Sequence, residues 1–164
     1  MSLILALDPA TMLGWATYDG AHYLSGVVNL GRAAEKGIVR DIGRVKRFQE
    51  FLSDFARAPY TRHAVTLLAI EGSAGHRFRQ AAKVASQLEG VAFAWAGRWD
   101  IPVVRVAPAE LKKFSTGDGR ASKSEMTEAA AQMTGAVVYD HNEADALCVC
   151  AWAVEAEKDA ESAQ

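Results

Sequence analysis

The chain has 164 residues, half of them hydrophobic and 23% charged, with a net charge of −2. That size and balance fit one domain with a core large enough to fold alone, and exclude a low-complexity or disordered polypeptide. No apolar run approaches the roughly 20 residues that a membrane helix needs, so no membrane partner is expected. No basic stretch precedes the short apolar run near the start, which therefore reads as a strand and not as a signal peptide. Charge is unevenly spread: residues 1–123 carry 17 Lys/Arg against 11 Asp/Glu, and residues 124–164 carry 1 against 9. Such asymmetry permits a basic face for nucleic acid on an acidic protein. Cys148 and Cys150 lie two apart in an apolar stretch. That spacing suits neither a zinc knuckle nor a redox pair, and predicts reduced core thiols in a cytoplasmic protein.

In chain order, residues 3–7 form an unbroken apolar run that ends in Asp8, the pattern of a strand buried on both faces. Pro9 stops the strand, and Gly14 is expected to let the chain turn back into a second strand at residues 15–18. Residues 22–30 read as a third strand, so three antiparallel strands open the fold. Ile42, Val45, Phe48, Phe51, Leu52 and Phe55 recur at helical spacing across residues 38–58. Arg40, Arg44, Lys46 and Arg47 occupy the other faces of that helix, either as a solvated surface or as contacts to a DNA backbone.

The second buried run, residues 64–70, ends in Glu71 and repeats the construction seen at Asp8. Two parallel strands that both finish in carboxylates bring these groups to one sheet edge, where open α/β sheets bind their ligands. Without a cation, like charges would face each other there. A loop with Gly75, His76, Arg77, Phe78 and Arg79 leads into an alanine-rich helix over residues 79–97. A short strand at 101–106 follows, and Pro108 opens a short helix. Lys112, Lys113, Arg120 and Lys123 surround Gly117 and Gly119, which predicts a flexible positive loop suited to phosphates. Ser122 and Glu125 have the spacing of a capping box for the next helix. The last helix, opening at about Asp140, is apolar beyond Asp145, with Asn142 one turn earlier on the same face. Residues 155–164 are expected to form an acidic, frayed tail.

These pieces in this order resemble the ribonuclease-H-like fold, and more narrowly the RuvC-type Holliday junction resolvases in their diverged, phage-like forms. The resemblance rests on Leu7-Asp8-Pro9-Ala10 with Gly14, Ala69-Ile70-Glu71, Lys112 with Gly117-Asp118-Gly119, Lys123, and Glu143-Ala144-Asp145-Ala146-Leu147. It implies an α/β domain over residues 1–154: a mixed five-stranded sheet, three antiparallel strands followed by two parallel ones, flanked by helices. It further implies a metal-dependent endonuclease that nicks four-way or other branched DNA in recombination and repair, working as a homodimer. Asp8, Glu71 and Asp145 would be the metal-binding catalytic carboxylates, with Asn142 and Lys123 beside them. Lys112, Lys113, Arg120, Arg77, Arg79 and Phe78 would meet the DNA. This chain departs from the family's pattern in having Ala10 where glycine is usual. It also has Asn142 where the family has an acid or histidine, so that Asn142, Asp140 or His141 completes the site.

Phosphodiester hydrolysis needs an activated water, neutralised phosphoryl oxygens and a stabilised leaving oxygen. Two Mg²⁺ ions, with Mn²⁺ as a substitute, supply these from a carboxylate cradle. Three other readings fit parts of the pattern: a non-catalytic junction-binding module, an RNA-directed resolvase-like factor, and an ATPase domain of the actin and sugar-kinase type. The last normally needs two such domains and more glycine after its first acid.

Overall fold

In the computed structural model, residues 3–57, 65–73 and 79–162 are described, without the side chains of residues 56 and 57. The strands are β1 (Ile4–Asp8), β2 (Met12–Tyr18), β3 (Tyr23–Asn29), β4 (Leu67–Glu71) and β5 (Val103–Val106). The helices are α1 (Gly37–Arg57), α2 (Arg79–Arg98), α3 (Pro108–Thr116), α4 (Lys123–Thr134) and α5 (His141–Ser162). Strand order in the sheet is β3-β2-β1-β4-β5. β1 pairs antiparallel with β2 and parallel with β4, and β5 extends the parallel half. This is the mixed five-stranded sheet that the sequence pattern implies.

The apolar strands explain the layering. All five residues of β1 are buried, and successive side chains point to opposite faces. Leu5 and Leu7 of β1, with Leu68 and Ile70 of β4, pack under Phe48 and Leu52 of α1 and Leu88 of α2. Ile4, Ala6, Leu67 and Ala69 face the other way, into a second core with Leu111, Met126, Leu147 and Val149 from α3, α4 and α5. A helix layer therefore covers each side of the sheet. The alternation also settles where the acids go. Asp8 and Glu71 continue the register of Ala6 and Ala69, on the face that α5 covers.

Gly14 has a different role from the turn residue expected. It lies inside β2, opposite Asp8 in the ladder, and a Cβ built on it would collide with the backbone carbonyl of Asn142. Glycine here admits the first turn of α5 onto the sheet beside the end of β1. Ser25 Oγ of β3 donates to Glu143 Oε1 at 2.7 Å and ties the same turn to the far strand. Of the basic residues of α1, Arg44 and Arg47 are drawn into the chain's own contacts, while Arg40 and Lys46 stay open to solvent. Arg44 is 3% exposed, and Asp41 accepts from both Arg44 Nη1 (3.3 Å) and Lys83 Nζ (2.9 Å). Arg47 donates to the Leu30 carbonyl at 2.7 Å and grips Glu35 with both its Nη atoms. Lys46 lies 3.9 Å from Glu50. Intrachain carboxylates thus engage the cations that charge counting left unassigned.

Residues 155–162, expected as a frayed tail, form the last turns of α5. Alanine and glutamate there favour helix, and Lys158 pairs with Glu155 one turn away. Cys148 and Cys150 are buried free thiols, as expected, and burial pushes the Cys148 thiol up to about 12.

Candidate active site

Three elements deliver three acids to one edge of the sheet. Asp8 ends β1, Glu71 ends β4, and Asp145 lies one turn into α5. Asp8 is 8% exposed. Burial first, then the charges of Glu71 and Asp145, push its pKa well above the ordinary carboxylate value, with Lys123 opposing. Glu71 is raised to about 7 by burial and by Asp145, against a hydrogen bond from Asp8 and the charge of Lys112. Burial raises Asp145 to about 6, while His141, Lys123 and Lys112 pull it down. Asp8 and Glu71 also act on each other through a hydrogen bond, which raises the first acid and lowers the second. Clustered acids displaced upward together make this edge the candidate site.

The donor set fits a hard divalent cation. Carboxylate oxygens are the ligands that Mg²⁺ prefers. Among the described residues, no group of three or more His, Cys, Asp or Glu side chains is arranged to hold a metal ion as it stands.

The two expected lysines flank this edge from α3 and α4. Lys123 is the first residue of α4, exposed, and its charge reaches Asp8 and Asp145. Lys112 is half-buried; its Nζ donates to the Ala121 carbonyl at 2.8 Å while its charge reaches Glu71 and Asp145. Lys112 therefore staples the loop after α3. That loop is tighter than the flexible cradle expected from its glycines. Gly117 has a φ of 83° and ends α3 with its N–H on the Lys113 carbonyl, a left-handed cap that glycine adopts freely. The Asp118 carboxylate accepts from Arg120 N at 2.9 Å. Ser122 and Glu125 form the expected capping box, with Ser122 N donating to Glu125 Oε2 at 2.7 Å. Lys113 and Arg120 are exposed around this turn, and Arg79 is exposed at the start of α2. Arg77 and Phe78, with His76, lie outside the described residues.

Asp140, and not Asn142, caps α5. Its Oδ1 accepts from Asn142 N (2.7 Å), Asn142 Nδ2 (3.0 Å) and Glu143 N (3.4 Å). Burial is the largest single influence on Asp140 and opposes ionisation, yet these donors hold its carboxyl below the usual value. Asn142 spends its amide on that cap. His141 is exposed and close enough for its charge to act on Asp145. Sequence reading missed the Ser25–Glu143 bond, since a serine and a glutamate 118 residues apart carry no common signal.

The sheet order and the helix layers are those of a ribonuclease-H-like fold. The particular likeness is to RuvC, at two levels. Over 70 residues the chain is 43% identical to the crossover junction endodeoxyribonuclease RuvC of Anaeromyxobacter sp. (strain K), covering 43% of this chain and 38% of the relative. The RuvC of Anaeromyxobacter sp. (strain Fw109-5) is 41% identical over 70 residues, 43% of this chain and 34% of that one. The matched segment thus spans little more than a third of these curated relatives. The fold likeness is longer. Thermus thermophilus RuvC in complex with a Holliday junction substrate superposes with a TM-score of 0.75 at 21% identity, over 97% of both chains. A second T. thermophilus RuvC structure gives 0.72 at 22%, over 96% of both. The yeast mitochondrial Holliday junction resolvase Ydc2 gives 0.56 at 12%, over 92% of this chain and 76% of that one. No family model matches the sequence.

Proposed function

We propose that this protein is a structure-selective endonuclease that hydrolyses phosphodiesters in four-way or other branched DNA. One observation carries the reading: β1, β4 and α5 bring Asp8, Glu71 and Asp145 together where each raises the proton affinity of its neighbours or is itself raised by burial. The curated relatives matched over 70 residues are named crossover junction endodeoxyribonucleases, which supports the substrate class.

In this reading Asp8, Glu71 and Asp145 hold divalent metal, two Mg²⁺ ions with Mn²⁺ as a substitute. Bound there, the metal supplies Lewis acidity toward the phosphoryl oxygens and a water acidic enough to attack at neutral pH. Everything else falls to the chain's own side chains. Asp8 and Glu71 would present both carboxylates as acceptors. Lys123, at the mouth of the site, stabilises negative charge that builds on the phosphoryl group. Lys112 holds the loop after α3 against the acids, with Lys113 and Arg120 on the exposed turn to meet the backbone on either side. Arg77, Phe78 and Arg79 would extend that contact. Asn142 orients the cap of α5 and with it Asp145. A four-way junction has near two-fold symmetry, so paired nicks call for a homodimer. The long helices α1 and α2 would supply that interface. Such an enzyme would work in the cytoplasm.

The test is a nicking assay on a synthetic four-way junction in Mg²⁺, with linear duplex and RNA–DNA hybrid as controls. Wild type should nick the junction preferentially. Asp8→Asn should lose at least a hundredfold in rate while binding the junction as tightly or more so, because repulsion of the phosphates falls. Binding without nicking by the wild type would favour a non-catalytic junction-binding module. Cleavage of the hybrid alone would point to an RNA-directed factor.

A further inference from the structure

On the sheet face opposite the acids lies an ion pair that the reaction above does not use. After Glu71 the chain continues through Gly72 and Ser73 toward α2. Gly72 N donates to the Val106 carbonyl at 2.8 Å, extending the ladder with β5 one residue past the acid. Ser73 Oγ donates to Glu89 Oε2 of α2 at 2.9 Å. Arg105 of β5, paired with Ile70 in the ladder, places Nε 2.6 Å from Glu89 Oε1. Its guanidinium lies across Gly72, where a Cβ would come within 2.6 Å of Arg105 Nε. The Glu89 side chain is 8% exposed. A carboxylate so buried is costly, and an apolar pair of equal volume would hold a helix on a sheet at least as well. Stability alone does not account for it.

We propose that Glu89 and Arg105 are positioning residues. With Ser73 and the bare face of Gly72 they lock the two peptide units after Glu71, and so fix the direction in which β4 presents that carboxylate. Three ties act on two consecutive residues: the β5 carbonyl on one side, Glu89 on the other, and Arg105 across the top. Groups that orient metal-binding carboxylates from behind typically change metal affinity or rate by about 10- to 100-fold when removed. The inference rests on the nuclease reading for the meaning of the rate, but not for its metal readout.

Glu89→Gln keeps an acceptor for Ser73 and loses the ion pair. Arg105→Met loses the cation, and Arg105→Lys keeps it. Single-turnover nicking on a saturating junction should fall roughly tenfold in Glu89→Gln and Arg105→Met, with junction affinity within about twofold of wild type. Arg105→Lys should recover most of the rate. Calorimetry with Mn²⁺ alone should show weakened binding in the same two variants. Gly72→Ala, which displaces Arg105 without removing a charge, should reproduce the loss and serves if either variant fails to fold. Folded variants with wild-type rate and wild-type Mn²⁺ affinity would overturn the proposal, as would Arg105→Lys behaving no better than Arg105→Met. If the wild type nicks nothing but binds Mn²⁺, weakened binding in Glu89→Gln still supports the positioning role while the nuclease reading fails. A wild type that binds no Mn²⁺ overturns both.

Discussion

Asn142 and Asp140 divide a task that the sequence leaves open among three residues. The Asp140 carboxylate accepts from two backbone N–H groups and from the Asn142 amide, so it is committed to the N-terminus of α5. Asn142 contributes a donor, which a carboxylate in its place would lack. Asn142→Asp would set two carboxylates side by side at the helix start, in place of a hydrogen bond of 3.0 Å. We expect that variant to melt lower than wild type at pH 8 in chelator, by about 1 kcal/mol of stability, the usual worth of a cap. Mg²⁺ should return part of the loss if the new carboxylate reaches the metal. Asp140→Ala should cost about the same and gain nothing from Mg²⁺. Thermal melts of the two variants with and without the ion read both outcomes.

At the scale of elements, the site depends on how closely α5 crosses the sheet. The Asn142 carbonyl lies where the Cβ of residue 14 would otherwise be, and Ala144, Ala146 and Cys148 of α5 are fully buried. Small residues on both partners bring the helix down until Asp145 stands beside Asp8. Gly14→Ala must push the first turn of α5 away, since a carbonyl of the helix backbone cannot rotate aside as a side chain can. Overpacking of this kind costs roughly 1–3 kcal/mol. Its larger effect should be on the acids: the upward displacement of Asp8 that arises from Asp145 weakens as the two part. Carbon-detected NMR titration of Asp8 in Gly14→Ala, against wild type, measures that change. An unchanged titration would mean that α5 does not set the site.

For the whole molecule, three buried acids with raised proton affinity dictate how stability varies with pH. Glu71 rises to about 7 and Asp145 to about 6, both chiefly through burial, and Asp8 is raised as well. In the unfolded chain such groups titrate near 4. Between those values the folded protein binds more protons than the unfolded one, so stability falls as pH rises through that window. For Glu71 and Asp145 the contribution is fully present below about pH 4 and is lost as pH rises through about 6 and 7. In chelator, the melting temperature contributed by this cluster should therefore drop from pH 5 to pH 8. Asp8→Asn should flatten that slope and raise the melting temperature at pH 8. Saturating Mg²⁺ should remove the slope in wild type and have little effect on the variant. Melts at four pH values, with and without the ion, decide it.

The sheet was legible in the sequence because its information is local. Unbroken apolar runs ending at Asp8 and Glu71 can only be strands covered on both sides, and period-two alternation then assigns each residue to a face. Helix starts were legible for the same reason: Ser122 with Glu125, and Pro108, act within a few residues of themselves. The partners of the charged groups were not. Arg44 meets Asp41 at the i,i+3 spacing of one helix, but Arg47 finds Glu35 and Lys83 finds Asp41 across gaps in the chain that no spacing rule connects, and the Glu89–Arg105 pair joins a helix to a strand whose adjacency exists only after folding. Gly14 read as a turn because glycine is permissive in isolation; that it makes room for the Asn142 carbonyl depends on a helix 128 residues later. Which residues carry charge is written along the chain, but which charges meet is decided by packing. A carboxylate's neighbours, burial and proton affinity are properties of three-dimensional distance, and distance is what the linear order omits.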